Sequence, residues 1–127
     1  MRVRQALSTS VGTKLLIATT GLALVGFLIG HLIGNLLLFL GPEKFNDYGH
    51  ALISNPLIIP VEIGLIAIFL LHAGRAVLNF FGNRAARPRG YELKKGAGGP
   101  SRKSWASTTM IGSGLFVLAF VPFHLFT

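Results

Sequence analysis

A long uncharged run near the N-terminus constrains the fold more than any other feature of the sequence. Leu15 to Leu40 contains no charged residue. As an α-helix, these 26 residues would extend about 39 Å at about 1.5 Å per residue, which is enough to cross about 30 Å of hydrocarbon. Because backbone polar groups in lipid must be paired within the protein, the run predicts a transmembrane helix.

Two further apolar runs follow along the chain. Leu57 to Phe81 contains Glu62 and Arg75, and Trp105 to Phe126 contains no charge. A cleaved signal peptide would be the alternative explanation of the first run, but that run is longer than a signal-peptide core and two more spans follow it. The sequence therefore predicts an all-α integral membrane protein, with a single membrane domain over 1–127 and spans at about 13–40, 57–82 and 104–126.

The basic residues predict the orientation of the spans. Three of them flank the start of the first span, the first connection (Gly41 to Pro56) holds only Lys44, and the second connection (82–104) holds seven. The positive-inside rule then places the N-terminus in the cytoplasm and the C-terminus outside, so we expect a multi-pass protein of the cell inner (plasma) membrane. The net charge of +8 largely reflects this topology, and the basic side chains can attract anionic lipid or an acidic partner. It does not indicate nucleic-acid binding.

Composition excludes several kinds of chemistry. The chain has no cysteine, so disulfides, iron–sulfur ligation and thiol chemistry by this chain are excluded. Its four acidic residues are too few for a carboxylate-caged metal site.

Polar side chains at membrane depth are costly and usually face a cavity, a cofactor or a partner. Each predicted span carries one histidine, and the fourth, His50, lies in the outer connection. Three roles compete for the span histidines: helix–helix hydrogen bonds, a proton path, and axial ligation of haem by imidazoles from two facing helices. The polar residues in the spans are His31, Asn35, Glu62, His72, Arg75, Asn79 and His124.

The surroundings of His31 favour haem ligation. Gly26, Gly30 and Gly34 are spaced by four residues and line one stripe of the helix. Small residues in such a stripe let a flat group approach the backbone, although the same spacing also packs helix against helix.

The depths of the histidines limit how they can be paired. Measured from the nearest cytoplasmic basic residue at about 1.5 Å per residue, His31 lies about 25 Å up, His124 about 32 Å and His72 about 18 Å. His72 and His124 are too far apart to share one iron, whereas the depth estimate leaves either of them open as a partner for His31. Arg75 shares the helix face of His72, where a guanidinium can pair with a haem propionate or extend to the cytoplasmic surface.

A series of short motifs runs along the whole chain. In this order and on these helices, they resemble the dihaem cytochrome b membrane-anchor subunit of succinate:quinone oxidoreductase, the family of succinate dehydrogenase and fumarate reductase. The motifs are Thr20-Gly21-Leu22, Gly30 to Leu36, Leu40 to Glu43, Phe45 to His50, Leu71-His72-Ala73, Asn83 to Pro88, Ser104 to Gly114 and Phe123-His124-Leu125.

The resemblance implies a haem-binding helix bundle. Members of that family have five spans and four axial histidines that hold two haems b, one near each side of the membrane. Carried over by motif, His31 and His124 would hold the outer haem and His72 would supply one ligand of the inner haem. The sequence stops after three spans, so we expect the remaining helices, and the ligand opposite His72, to come from a second membrane chain or a missing C-terminal part.

The resemblance also implies partners and a quinone. A flavoprotein and an iron–sulfur subunit would dock on the cytoplasmic side and pass electrons through this chain to menaquinone or ubiquinone. We expect the basic connection to contribute to that docking surface or to lipid contact, through Arg84, Arg87, Arg89, Lys94 and Lys95.

The quinone site is left open by the sequence. Candidates near the outer haem are Glu43 and His50, with Asp47 and Glu62 as further proton carriers, and Ser107 beside Ser104 and Thr108 is the cytoplasmic candidate. The ordinary explanations are solvation for the loop residues and helix capping for the serines.

Two other classes of protein fit the same residues. One is the cytochrome b anchor of another quinone-linked dehydrogenase or hydrogenase, which would also bind haem. The other is a haem-free small membrane protein whose histidines make helix–helix hydrogen bonds. Haem content separates the second class from the rest, and co-purifying flavin separates the first from a succinate dehydrogenase.

Overall fold

The computed structural model describes residues 8–87 and 104–127, and every regular element within them is a helix. We number the α-helices α1 (Ser10–Leu36), α2 (Pro42–Ile53), α3 (Ile58–Ala85) and α4 (Trp105–Phe126), and a 3₁₀ turn (Leu37–Leu40) extends α1.

The predicted all-α membrane fold is confirmed. Three helices are long and apolar enough to cross a membrane: Ser10–Leu40, Ile58–Ala85 and Trp105–Phe126. These bounds differ from the spans predicted from sequence by no more than three residues at any end. Arg89, Lys94 and Lys95 of the predicted docking surface lie outside the described residues.

The ends of α1 follow from local chemistry. Thr9 caps its N-terminus, where the Thr9 hydroxyl accepts a hydrogen bond of 3.0 Å from the Gly12 N–H. At the other end the 3₁₀ turn stops at Gly41, whose φ of +104° is a conformation that residues with a Cβ rarely adopt. The chain therefore reverses direction at a residue that makes the reversal inexpensive.

The first connection differs from the expected loop, because most of it forms α2. Pro42 begins this helix, Glu43 lies in its first turn and His50 in its last turn. Proline at the first helical position, an acidic residue near the N-terminus and a basic group near the C-terminus are each favourable there. The connection between the first two spans is thus an ordered helix.

The chain divides into two compact units, Met1–Ala76 and Val77–Thr127. The first unit contains α1, the 3₁₀ turn, α2 and the greater part of α3. The second contains the end of α3 and all of α4, which begins with Ser104 as its N-cap.

The described part of the chain has no buried apolar side chain. Large apolar residues line the outside of every span, which in water would be a severe liability and in a bilayer is the expected surface. The residues of α1 that are buried are Thr20 and Gly34. Each marks a point where another element of the first unit contacts α1.

Candidate functional site

His72 makes the polar contact that joins α3 to α1. Its Nδ1 lies 3.0 Å from Oγ1 of Thr20 and 3.1 Å from the carbonyl oxygen of Ile17. Thr20 is 9% exposed and His72 is partly buried. A polar group of one span is therefore satisfied by a polar group and a backbone carbonyl of another, away from water.

The contact determines which nitrogen of His72 carries the proton. The Ile17 carbonyl can only accept, so Nδ1 must be the N–H that donates to it. The Thr20 hydroxyl donates to the Leu16 carbonyl at 2.6 Å, which leaves its oxygen to accept from Nδ1. A neutral imidazole protonated on Nδ1 carries its lone pair on Nε2.

The Nε2 atom has no hydrogen-bond partner within residues 8–87 and 104–127. Metal-ligating histidines characteristically donate their other ring N–H to a carbonyl or a similar group, which fixes the tautomer and the ring orientation. His72 is held in that way, with Nε2 as the nitrogen able to ligate.

Gly21 provides the space that the imidazole occupies. A Cβ at this position would lie 2.9 Å from Cε1 of His72 and 3.4 Å from its Nδ1. Any larger residue would push the ring off α1, so the small residue beside Thr20 is what allows the hydrogen bonds to form.

His31 lies in a different environment on α1. Its ring stacks on Phe27, four residues earlier, with centroids 5.2 Å apart and an interplanar angle of 28°. Its side chain is exposed, and its backbone carbonyl accepts a hydrogen bond of 2.7 Å from the Asn35 amide. The imidazole therefore sits on the outer surface of the helix rather than between helices of the first unit.

His72 and His31 lie far apart along α1 in this structure. His72 contacts α1 between Ile17 and Gly21, whereas His31 is eleven residues beyond Thr20, or about 16 Å along the helix at 1.5 Å per residue. Two imidazoles on one metal ion place their nitrogens about 4 Å apart, twice a typical metal–nitrogen distance of about 2 Å. As placed here, the two side chains are too far apart to hold one metal ion between them.

Of the three glycines in the predicted stripe, Gly26 and Gly30 face open space and Gly34 contacts another element. A Cβ at Gly26 or at Gly30 would meet nothing within 4 Å. A Cβ at Gly34 would lie 2.6 Å from Oη of Tyr48, so the phenol ring of α2 rests directly on the α1 backbone. In this structure Gly34 packs against Tyr48, and the open part of the stripe is at Gly26 and Gly30.

Arg75 lies on α3 one turn beyond His72 and is partly buried. Its position three residues after His72 keeps the two side chains on the same side of the helix, as expected.

The remaining candidates in the outer connection lie on α2. Glu43 is in its first turn and His50 in its last, and both are exposed. The Glu43 carboxylate complements the helix dipole at the N-terminal end of α2, which is a structural role that needs no quinone. Asp47 and Glu62 are also exposed.

His124 and the cytoplasmic hydroxyl candidates lie on α4, in the second unit. The His124 ring stacks on Phe120, four residues earlier, with centroids 5.2 Å apart and an interplanar angle of 17°. At the start of the helix, the Ser104 hydroxyl accepts from the Ser107 N–H, and the hydroxyls of Ser107 and Thr108 donate to the Ser104 carbonyl at 2.8 and 3.1 Å. These hydroxyls are engaged in the helix cap.

Sequence reasoning missed three residues of the site: Thr20, Gly21 and Tyr48. Thr20 and Gly21 were part of a quoted motif, but nothing in that motif identifies His72 as their partner. Tyr48 belongs to an apolar spacing, with Phe45 and Leu52, that predicts one face of a helix and would have revealed α2. No group of three or more His, Cys, Asp or Glu side chains able to hold a metal ion occurs in the described ranges.

Compared with known proteins, the chain matches no family model, no curated protein and no solved structure.

Proposed function

We propose that this protein is a haem b-binding membrane anchor of succinate dehydrogenase, passing electrons from an iron–sulfur subunit to a quinone in the inner (plasma) membrane. The observation that carries the proposal is the state of His72. Its Nδ1–H is committed to Ile17 and Thr20 at 3.1 and 3.0 Å, and a histidine held in that way presents Nε2 to a metal.

The residues present fit a haem on chemical grounds. A neutral imidazole nitrogen is the axial ligand of b-type haem, and haem iron supplies one-electron transfer when it is bound. His72 would contribute one ligand of the haem nearer the cytoplasm. The separation of His72 from His31 along α1 agrees with ligands that belong to different haems.

His31 and His124 have similar local settings. Each histidine stacks on a phenylalanine four residues earlier at a centroid distance of 5.2 Å. His72 lacks this arrangement and is held by hydrogen bonds instead. The proposed assignment of His31 and His124 to the outer haem, and of His72 to the inner haem, rests on the family resemblance.

The protein's own contribution is orientation and insulation. Gly21 and Thr20 hold the His72 ring, and the open backbone at Gly26 and Gly30 leaves room for a flat group beside His31. Arg75, one turn from His72, would pair with a propionate. The exposed apolar surface of the spans suits lipid and the further helices that the second ligand of the inner haem requires.

The same contact supports a second candidate. The hydrogen bond from His72 to α1 is also what a haem-free membrane protein would use to hold two helices together. We prefer the haem-binding role because His72 is held through Nδ1 in the way that is characteristic of metal-ligating histidines.

The deciding experiment is a reduced-minus-oxidised optical spectrum of the purified membrane complex, with haem and covalent flavin quantified in the same sample. We expect b-type α-bands, with two haems per flavin. A complex that contains haem but no flavin would instead indicate the cytochrome b anchor of another quinone-linked dehydrogenase or hydrogenase. A complex without haem would reject the proposal in favour of the haem-free class.

A further inference from the structure

We propose that Thr20 is a positioning residue, which holds His72 in the tautomer and orientation that leave Nε2 available. The part of this inference that concerns ligation rests on the proposed function. The part that concerns the imidazole itself does not, since it is a statement about two side chains of this chain.

A directional chain of hydrogen bonds carries the inference. The His72 Nδ1–H donates to Oγ1 of Thr20 at 3.0 Å, and the Thr20 hydroxyl donates in turn to the Leu16 carbonyl at 2.6 Å. Since the hydroxyl proton is engaged by Leu16, the Thr20 oxygen faces His72 as an acceptor. An acceptor at this position stabilises the proton on Nδ1 and disfavours the other tautomer.

Burial strengthens the effect of this arrangement. Thr20 is 9% exposed, and hydrogen bonds in such low-dielectric surroundings are stronger and more costly to leave unmade than those in water. The Ile17 carbonyl at 3.1 Å is a second acceptor for the same N–H. Removing Thr20 therefore weakens the restraint on the ring without abolishing it.

The sequence supplies a matched control in the preceding residue. Thr19 makes the same kind of backbone contact within α1, donating to the Leu15 carbonyl at 2.9 Å and to the Leu16 carbonyl at 3.2 Å. Thr19 is exposed, and the hydrogen bonds of its hydroxyl go to Leu15 and Leu16 of its own helix and not to His72. Any effect on α1 of losing a threonine hydroxyl should appear equally in Thr19→Val and Thr20→Val.

The first test uses the full chain in lipid nanodiscs without haem, labelled with ¹⁵N-histidine, with His72→Gln to identify the His72 signals. We expect the native chain to show Nδ1 protonated. In Thr20→Val the Nδ1 signal should shift and its proton should exchange roughly two to ten times faster, as expected for losing a net hydrogen-bond contribution of about 0.5–1.5 kcal/mol. Thr20→Ser should restore the native signal, and Thr19→Val should leave it unchanged.

Two results of that test would overturn the inference. One is a His72 imidazole protonated on Nε2 in the native chain. The other is a Thr20→Val spectrum that matches the native chain or that of Thr19→Val. Because no haem is present, neither result depends on whether the chain binds one.

The second test uses the haem-loaded complex. Loss of a hydrogen bond to a ligating histidine typically lowers metal affinity by about 10–100-fold, and here the Ile17 carbonyl remains. We expect Thr20→Val to weaken retention of the inner haem by roughly tenfold. We also expect a more positive reduction potential for that haem, because the ligand becomes less basic.

In the same complex, Thr20→Ser and Thr19→Val should match the native protein. An unchanged potential in Thr20→Val would reject the role of Thr20 toward haem. A complex that binds no haem would reject the proposed function while the ¹⁵N result still decides whether Thr20 positions His72.

Discussion

The two buried residues of α1, Thr20 and Gly34, each face one ring from elsewhere in the first unit. Thr20 meets the imidazole of His72 and Gly34 meets the phenol of Tyr48. Most of the large apolar side chains of the spans are exposed. At the residue scale, the contacts of this unit therefore depend on a few polar and small positions in a mostly apolar surface.

Replacing single histidines should separate the two proposed haem sites. We expect His72→Ala to lose one haem and keep the other, and His31→Ala to lose the other haem, because the two side chains lie about 16 Å apart along α1. Optical redox titration of each purified variant measures which component disappears. Loss of the same component in both variants would contradict the separation.

Gly21→Ala should destabilise the contact between α1 and α3. Its Cβ would lie 2.9 Å from Cε1 of His72, and overpacking of this kind costs about 1–3 kcal/mol, more than the gain of up to about 1 kcal/mol from alanine in a helix. The free energy of unfolding in mixed micelles, from a denaturing-detergent titration, provides the measurement.

Gly26→Ala is the control for that prediction, because nothing lies within 4 Å of its Cβ. It should be neutral or slightly stabilising. Equal effects of the two substitutions would show that Gly21 matters only through helix propensity.

The histidines were predictable from sequence and their partners were not. A histidine is rare in an apolar run, so His31, His72 and His124 stand out at once. Thr19 and Thr20 are adjacent and chemically identical, and a threonine in a membrane helix ordinarily bonds its own backbone. Which of the two faces α3 depends on the packing of the helices, which no local pattern specifies.

At the scale of elements, α2 is the main addition to what the apolar runs predict. Its length falls short of a span, and its sequence is polar enough to resemble a loop. Its helical signals are local: Pro42 at the start, Glu43 in the first turn and an apolar spacing through Tyr48. The three long helices were predicted well because length and hydrophobicity alone determine them.

Gly34→Ala should loosen α2 from α1. Its Cβ would lie 2.6 Å from Oη of Tyr48, so the ring would have to swing away. We expect amide hydrogen exchange across Pro42–Ile53 to become about fivefold faster or more, since overpacking of about 1–3 kcal/mol is released by displacing the helix.

Gly30→Ala, which has open space, is the matched control and should leave the exchange unchanged. If the clash with Tyr48 causes the faster exchange, Gly34→Ala should add little to the exchange rate of a chain that already carries Tyr48→Ala. Additive effects in the double variant would place the clash elsewhere.

At the scale of the whole molecule, the charges on the two sides of the membrane should have different partners. Arg84 lies in the last turn of α3 and Arg87 just beyond its end, on the cytoplasmic side in the proposed topology, and Lys44 lies on α2 at the other side. We expect Arg84→Glu with Arg87→Glu to weaken retention of the proposed iron–sulfur subunit, because charge reversal removes attraction at the proposed docking surface.

Lys44→Glu is the control and should leave assembly unchanged. Co-purification of the soluble subunits at two salt concentrations measures both variants. If the soluble subunits still co-purify after both arginines are reversed, the basic segment does not contribute to docking and its role would be contact with lipid.

The contact between His72 and α1 also bears on how the chain enters the membrane. When α3 leaves the insertion machinery, the His72 imidazole is exposed to lipid unless a polar partner is already present in the membrane. Ile17 and Thr20 are on α1, which precedes α3 in the chain, so the two helices can pair as soon as α3 is inserted and before α4 is inserted. The pair formed by α1 and α3 would then be assembled before α4, or a helix of another chain, packs against it.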